Sequence, residues 1–595
     1  MVRGMKKIPY GISNYKELRD LDMYYIDKTM YIEKLENKDR YVFFIRPRRF
    51  GKSLFLNMLE AYYDMNEEKN FEKYFGDLYV GKNRTEQANK YIVLKISFAS
   101  VITDLGKDEL IESFDKIVSS AVNKCIIRYK HILGEESLPE NEKRATYALN
   151  YLSKIVELKN KKIILLIDEY DNFANNIMRG KKDIYDELVH EGGYVRTFYK
   201  EIKEGTSDGA ITRTFITGVS PVMLDDVTSG ANIFTVIAND EDLNGILGFN
   251  DHEIRQIVDY YRIGEIVEKE ELLKILKTYC NGYKFNENVS ETVYNTDMVL
   301  YILNNIIQKK EYPKKLIDEN VKTDYTRLRN IAENFITKEE MLQLIEGGEV
   351  GPIEIKERFN LESLYKKEEK YTNIRSLLYY LGMLTIKRQE SNKVMLGIPN
   401  YAVKALYWEY MEKAYEVEAS ARYDELAAAM EDMRKTGKVE HIMEIYERVI
   451  KRLSNRDLRH FNETSCKSIF ITLVYTDGIY LIESEKEANG GYTDLYIKEG
   501  VLYKEAVNYR YMIEFKHIKE KELREVESGE LKVESEKQQV LDSNRELVDK
   551  KKEEARAQLY RYMEEHNVQE DSEKELKKYI VIILGKKYVE YEEIR

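Results

Sequence analysis

The sequence predicts an α/β protein in three parts: a parallel-sheet core first, a helical middle with a small β-hairpin, and a second, smaller α/β sheet last. Three observations carry this expectation. "YVFFI" (41–45) and "IILLI" (163–167) are short apolar runs bounded by charge, the pattern of strands buried on both faces. From about residue 250 apolar positions recur at helical spacing, as in "DHEIRQIVDYY" and "EELLKILKTYC". From about 456 strand-like runs return, "YLIESEKEANGGYTDLYI" and "YMIEFKHI", with the hairpin signal Asn489-Gly490-Gly491 inside the first.

The 595 residues, 43% hydrophobic and 34% charged, are enough for several folded domains with heavily charged surfaces. Proline is scarce, so boundaries follow from pattern: 1–250, 251–420, a helical connector over 421–455, and 456–595. No apolar run reaches the length of a membrane span, and "MVRGMKKIPYG" lacks the apolar stretch of a secretion signal. Cys125, Cys280 and Cys466 are too scattered for a disulfide frame or a thiolate metal site. A soluble, reducing, cytoplasmic setting without a membrane partner is therefore expected. Seven histidines without paired spacing argue against a His-built zinc centre. A net charge of −12 is a weak argument against indiscriminate nucleic-acid binding, since it says little about a local groove.

The first strand runs into "RPRRFGKS" (46–53) and then "LFLNMLEAYYDM", which has helical spacing. Strand, loop and helix are the context in which Gly51-Lys52-Ser53 closes a phosphate-binding loop. Backbone N–H groups and the helix N-terminus make the anion cradle. Lys52 is expected to reach the β- and γ-phosphates of ATP, and the Ser53 hydroxyl to ligate Mg²⁺. Arg46 stands where the motif has its first glycine; Pro47 can fix that bend by another route, while Arg48 or Arg49 adds charge beside the phosphates. The second strand ends in Asp168-Glu169, which suits Asp168 to hold Mg²⁺ and Glu169 to polarise the attacking water. A third run, "TRTFITGVSPV" (212–222), ends in Thr217 and Ser220, one of which could sense the γ-phosphate. Asp171 reads as solvated or helix-capping.

With these motifs in order, "IPYGISNYKELRDLDMYYIDKT", "RPRRFGKS", "LLIDEYD" and "FITGVSPV" resemble the AAA-ATPase-like family of prokaryotic proteins, a P-loop NTPase fold. The likeness continues through "GILGFNDHEI", "YCNGYKF" and "VYNTDMVLYIL" and covers roughly the first 300 residues. It implies that Arg-Pro-Arg-Arg is the habitual opening of this loop. "YYIDKT" (24–29) recurs in the family, with Asp27 and Lys28 open to capping or functional roles.

In the middle, "NIRSLLYYLGMLTIKRQESNKVMLGIPNYAVKALYWEYM" (373–411) reads as helix, hairpin, helix, an order that resembles a winged-helix unit. Such a unit packs as a lid on the nucleotide or touches DNA; Trp408 reads as core.

The last part reads helix, two hairpin strands, a third strand, helix. Asp494 falls in the second strand, and Glu514 and Lys516, two apart in the third, share one face. Two carboxylates and a lysine suit metal-dependent phosphodiester cleavage: a divalent ion activates water, and the ammonium adds charge where it develops. Apolar Met512, Ile513 and Phe515 imply a buried strand, where such charges need a partner. This arrangement resembles the PD-(D/E)XK nuclease superfamily, which commonly follows this ATPase family. The resemblance implies Glu463 as a further metal acid and Gln558, with Tyr562 a turn later, on the following helix. Thr493 departs from the superfamily's usual proline. Residues 517–550 read as a charged insertion, an exposed helix or a mobile loop, and "KYIVIILGKK" (578–587) as another core strand.

The expectation is an ATPase coupled to a Mg²⁺-dependent nuclease acting on nucleic acid, DNA more than RNA, with a homo-oligomer possible as in related ATPases. The alternative is a nucleotide switch for signalling or scaffolding, whose C-terminal fold binds without cutting; in a second, nucleotide binding is vestigial.

Overall fold

The structure is a computed structural model describing residues 4–594 except 102–105, 140–142, 173–181, 191, 324–337, 346–347, 415–422, 453–460, 476–478, 484–494, 525–532 and 567–571. The chain divides into two compact units, one of residues 1–335 with 350–401, the other of 336–349 with 402–595. Among the described residues no helix is long and apolar enough to cross a membrane.

The first unit is built on a parallel sheet of β1 (Tyr41–Ile45), β2 (Ile92–Ser97), β3 (Ile163–Asp168), β4 (Ile211–Gly218) and β5 (Thr235–Val236). Their order is β2-β3-β4-β1-β5. The apolar runs read as strands are β1, β3 and β4, and all six residues of β3 are buried. Because β4 lies between β1 and β3, the loop after β1 faces the carboxylates of β3 across one strand, with Thr217 paired to Phe44 in register. Helix Lys52–Tyr63 follows β1, and helix Lys107–Arg128 packs against β2. Two strands of this sheet escaped the sequence reading: β2, because Lys95 and Ser97 interrupt its apolar run, and β5, because it is two residues long.

The helix–hairpin–helix pattern is realised as helix Lys370–Tyr380, strands β7 (Thr385–Glu390) and β8 (Lys393–Gly397), and helix Tyr401–Ala414. β6 (Val350–Ile353) completes a three-stranded sheet in the order β6-β8-β7. The hairpin segment is seated on the core of its own unit. Tyr379 donates to Asn239 (3.1 Å), which donates in turn to Tyr380 (3.0 Å), and the Lys284 amide donates to Thr385 (2.9 Å). Gly282 marks a close approach: its φ is +97°, and an added Cβ would lie 2.1 Å from the Pro399 carbonyl oxygen.

The second unit holds a five-stranded sheet ordered β13-β12-β11-β10-β9. These are β9 (Tyr480–Glu483), β10 (Leu495–Glu499), β11 (Tyr509–Ile518), β12 (Glu575–Leu584) and β13 (Tyr588–Glu593). β9, β10 and β11 form an antiparallel meander; β12 returns parallel to β11 and lies beside it. Helix Glu463–Val474 packs on one face, where Phe470 meets Phe515, and Trp408 is buried against Tyr475. Helix Arg545–His566 lies against β11 and β12. The charged insertion is not wholly exposed: Val548 is buried with Ile518, Ile580 and Ile582.

Gly282→Ala combines a strained left-handed conformation with a backbone clash, so it should destabilise the first unit by at least about 2 kcal/mol. Calorimetry should show one unfolding transition moving down by several degrees; an unchanged thermogram would contradict this packing.

Candidate active sites

Arg46 does not stand in for a glycine beside the phosphates. Its side chain is 1% exposed and turned into the protein, stacked on Phe44 and Phe285 at 4.5 and 4.0 Å. It donates to the carbonyls of Ile45 (3.0 Å), Leu243 (2.9 Å) and Ala238. Burial lowers the guanidinium to about 10, still charged at neutral pH. The arginine is thus an anchor that fixes the loop's first residue to the 238–243 segment.

The loop ends at Gly51, whose φ of +92° is open to glycine at little cost. A Cβ there would meet nothing within 4 Å and would project into open space, as a cradle for an anion requires. Lys52 heads the helix and donates to the Arg46 and Pro47 carbonyls at 3.0 and 2.8 Å. Desolvation lowers its ammonium to about 8, against the opposing pull of Asp168, Glu169 and Asp171. Ser53 donates to Asp168 across the sheet at 2.6 Å. Glu169 sits at φ +53°, and burial, reinforced by the charge of Asp168, raises its carboxyl. Arg49, at φ +68°, pairs with Asp297 (3.3 Å), while Arg48 lines the cavity and its carbonyl accepts from Asn295.

These groups border a cavity of about 680 Å³, a size suited to a nucleotide. Gly51, Lys52, Ser53, Arg48, Arg49 and Glu169 line one part of it. Thr217 is fully buried on β4, its hydroxyl without a hydrogen-bond partner among the described residues. Ser220 is occupied structurally: its hydroxyl accepts from the Val222 amide and its own amide donates to Asp171. Asp171 is 2% exposed, not solvated, and accepts from the Val219 and Ser220 amides. The donor set fits ATP and Mg²⁺: a helix N-terminus and ammonium for phosphate, a hydroxyl and a carboxylate oxygen for a hard cation.

In the second unit the strand alternation of β11 places Glu514 and Lys516 on one face, 1% and 7% exposed. The Lys516 ammonium donates to Glu514 at 3.0 Å and to Glu463 at 2.9 Å. Glu463 opens helix Glu463–Val474, capped by Asn462, and is the more exposed of the two acids. Thr493 and Asp494 lie outside the described residues, directly before β10. Among the described residues no three acidic, His or Cys side chains converge. Two carboxylates held by one ammonium nevertheless supply hard oxygen donors of the kind Mg²⁺ takes. Gln558 is exposed on helix Arg545–His566 with no hydrogen bond to Glu514 or Lys516, while Tyr562 is buried with Tyr496, Met512 and Leu559. The neighbour that feels the lysine is Glu554, a turn earlier: its Lys551 hydrogen bond and, further, the Lys516 charge lower its carboxyl.

Residues 9–228 match the family described as predicted AAA-ATPase, and residues 461–593 match the PD-(D/E)XK nuclease superfamily. The chain thus carries an AAA-ATPase-like region followed by a PD-(D/E)XK-superfamily region. An uncharacterized protein in the vnfD 5′ region of Azotobacter chroococcum mcd 1 is 26% identical over 312 residues, 52% of this chain. The chain spans 53% of that relative's length. The solved structure of the Aeropyrum pernix ORC2 protein (ADPNP-ADP complexes) aligns with 64% of this chain and 92% of its own, at 11% identity and a TM-score of 0.25.

The AAA-ATPase-like region also contains lining residues that motif reading passed over. Tyr24, Tyr25 and Ile26, beside Gly11 and Ser13, border the cavity. "YYIDKT" supplies that wall and its fasteners. Asp27 accepts from the Thr29 and Tyr79 amides, and Lys28 binds Glu253 at 2.7 Å. Only the recurrence of the motif signalled this, because its partners lie far along the chain.

Arg46→Ala removes three hydrogen bonds to backbone carbonyls and two ring contacts and should destabilise the unit by about 3 kcal/mol. At a temperature where the variant is folded, its affinity for a fluorescent ATP analogue should change far less than that of Lys52→Ala. Lys52 also predicts a proton linkage. With its ammonium lowered to about 8, and raised again once phosphate adds negative charge, nucleotide binding at pH 8.5 should take up a fraction of a proton. Calorimetry in buffers of different ionisation heat should detect this uptake, and Lys52→Arg should abolish it.

Proposed function

We propose that the protein binds and hydrolyses ATP and couples this to Mg²⁺-dependent cleavage of phosphodiester bonds in nucleic acid, DNA before RNA. What supports the reading most is the pairing, within one chain, of two separately built acidic sites. One is Ser53 on Asp168 beside a phosphate-shaped loop; the other is Lys516 on Glu514 and Glu463.

In the first, Lys52, Gly51 and the helix N-terminus would bind the phosphates, and Ser53 with Asp168 would hold Mg²⁺. Glu169, its carboxyl raised by burial, is poised to accept a proton from the attacking water. Thr217 offers an unspent hydroxyl on the intervening strand. In the second, Glu514, Glu463 and Asp494 would hold Mg²⁺, which when bound supplies charge neutralisation and a more acidic water. Lys516 would orient that water and stabilise the charge building on phosphorus. The hairpin segment 350–401 would act as the lid that registers nucleotide state, since Gly382 abuts Pro47 of the loop.

A panel of labelled DNAs and RNAs, with and without ATP and Mg²⁺ or Mn²⁺, tests this. Metal-dependent cleavage should fall by about a hundredfold or more in Lys516→Ala and in Asp494→Asn. Lys52→Ala should abolish ATP turnover and change the cleavage rate. ATP turnover without any metal-dependent cleavage would favour the switch that binds without cutting; cleavage indifferent to Lys52→Ala would remove the coupling.

A further inference from the structure

The first unit has a second cavity, of about 600 Å³, at the edge of the parallel sheet where β2 ends the strand order. Lys95 and Ser97 of β2 line it from one strand face. Helix Lys107–Arg128 lines it with Lys116, Ser120, Lys124 and Arg128, a single row at successive i, i+4 positions. We propose that this groove binds the phosphate backbone of nucleic acid irrespective of base sequence, a site distinct from the nucleotide pocket. The proposal rests on the nucleic-acid reading above.

Four features of the groove point to that ligand. First, Lys124 and Arg128 are like charges one turn apart on the helix, an arrangement that costs stability unless something anionic meets it, and Arg128 has Asp64 beside it while Lys124 has no acid of its own among the described residues. Glu60 already answers Lys95 and Arg128. Lys116 and Lys124 are exposed and make no ion pair among the described residues. Second, those two lysines are about 12 Å apart along the helix axis, so a single phosphate cannot serve both. A strand with a phosphate at each nucleotide step can. Third, the apolar part of the lining is Val93, Ile117, Ala121 and Cys125, with no aromatic ring among the described lining residues. Without a stacking platform the bases have nothing to sit on, which leaves recognition to charge and hydroxyls. Fourth, the chain's net charge is −12, so a polyanion gains nothing from the charge of the whole, and a local basic groove decides where one settles.

The groove also touches the nucleotide site through hydrogen bonds. Lys95 donates to Asn57 at 2.6 Å, Asn57 donates to the Ser53 carbonyl at 2.7 Å, and Ser53 donates to Asp168 at 2.6 Å. A phosphate competing for Lys95 would act on the first link of that chain.

The test uses the full-length protein and fluorescein-labelled single- and double-stranded DNA, without divalent metal so that nothing is cut. Lys116→Ala/Lys124→Ala removes two exposed side chains that belong to neither active site. Anisotropy should show binding weakened by about tenfold at 100 mM salt, with the slope of log K against log salt shallower by roughly 1.5. Melting temperature and binding of a fluorescent ATP analogue should be unchanged. If wild type binds or cuts DNA and the variant matches it in affinity and slope, the groove proposal is overturned while the nucleic-acid reading stands. If wild type binds no nucleic acid at low salt, both fall. Calorimetric binding of inorganic tripolyphosphate that the variant loses, with DNA affinity unaltered, would identify a small-anion site and overturn the proposal as well.

Discussion

A sheet covered on both sides leaves its strands one outlet for polar chemistry, the carboxyl ends where the chain turns back toward water. The first unit uses that outlet three times. β1 ends in the phosphate-shaped loop, β3 in Asp168 and Glu169, and β4 in Thr217 and the Ser220 turn. Parallel pairing in register brings the three ends to one edge, so groups more than a hundred residues apart meet at hydrogen-bond distance, as Ser53 and Asp168 do. The second unit has no such outlet at Glu514, which sits within β11 with buried neighbours on both sides. There a carboxylate needs an internal counter-charge, and Lys516 on the same strand face supplies it. The two sites thus solve one problem differently: the first exports its charges to a cavity rim, the second neutralises them where they stand.

This difference explains what could be read from the sequence. An apolar run ending in polar residues is a local signal, and β1, β3 and β4 were legible from it. The same holds for the helix–hairpin–helix and for the face shared by Glu514 and Lys516, which follows from the two-residue repeat of a strand. β2 was not legible because an edge strand shows solvent its own polar residues, and Lys95 and Ser97 break the pattern that marks a central one.

Side-chain partners were the harder part, since nothing local announces them. Asp171 read as solvated or helix-capping because it follows two acids in a loop, yet two amides from the turn after β4 enclose it. Lys28 finds Glu253, 225 residues on, and no spacing rule reaches so far. Gln558 shows the opposite limit. Helical phase brings Ala555, Leu559 and Tyr562 to the sheet and leaves Gln558 exposed, while Glu554 comes within the field of Lys516. Motif position names a residue; the phase of its helix decides where it points.

The loop after β1 shows how an unusual residue can serve an ordinary geometry. A glycine at position 46 would allow the turn but would hold nothing. Arg46 binds three carbonyls and two rings, and this fixes its own carbonyl and that of Pro47, the two oxygens on which Lys52 rests. An ammonium already desolvated and held by weak neutral acceptors would have little to lose to an arriving phosphate, and charge-assisted bonds to gain. Its lowered pKa expresses the same fact, a charge kept in a place short of water. Buried deep in the protein, the guanidinium never needs to touch a ligand to matter for one. Its contacts hold the two carbonyls under Lys52 in place, which a flexible glycine turn would leave to chance.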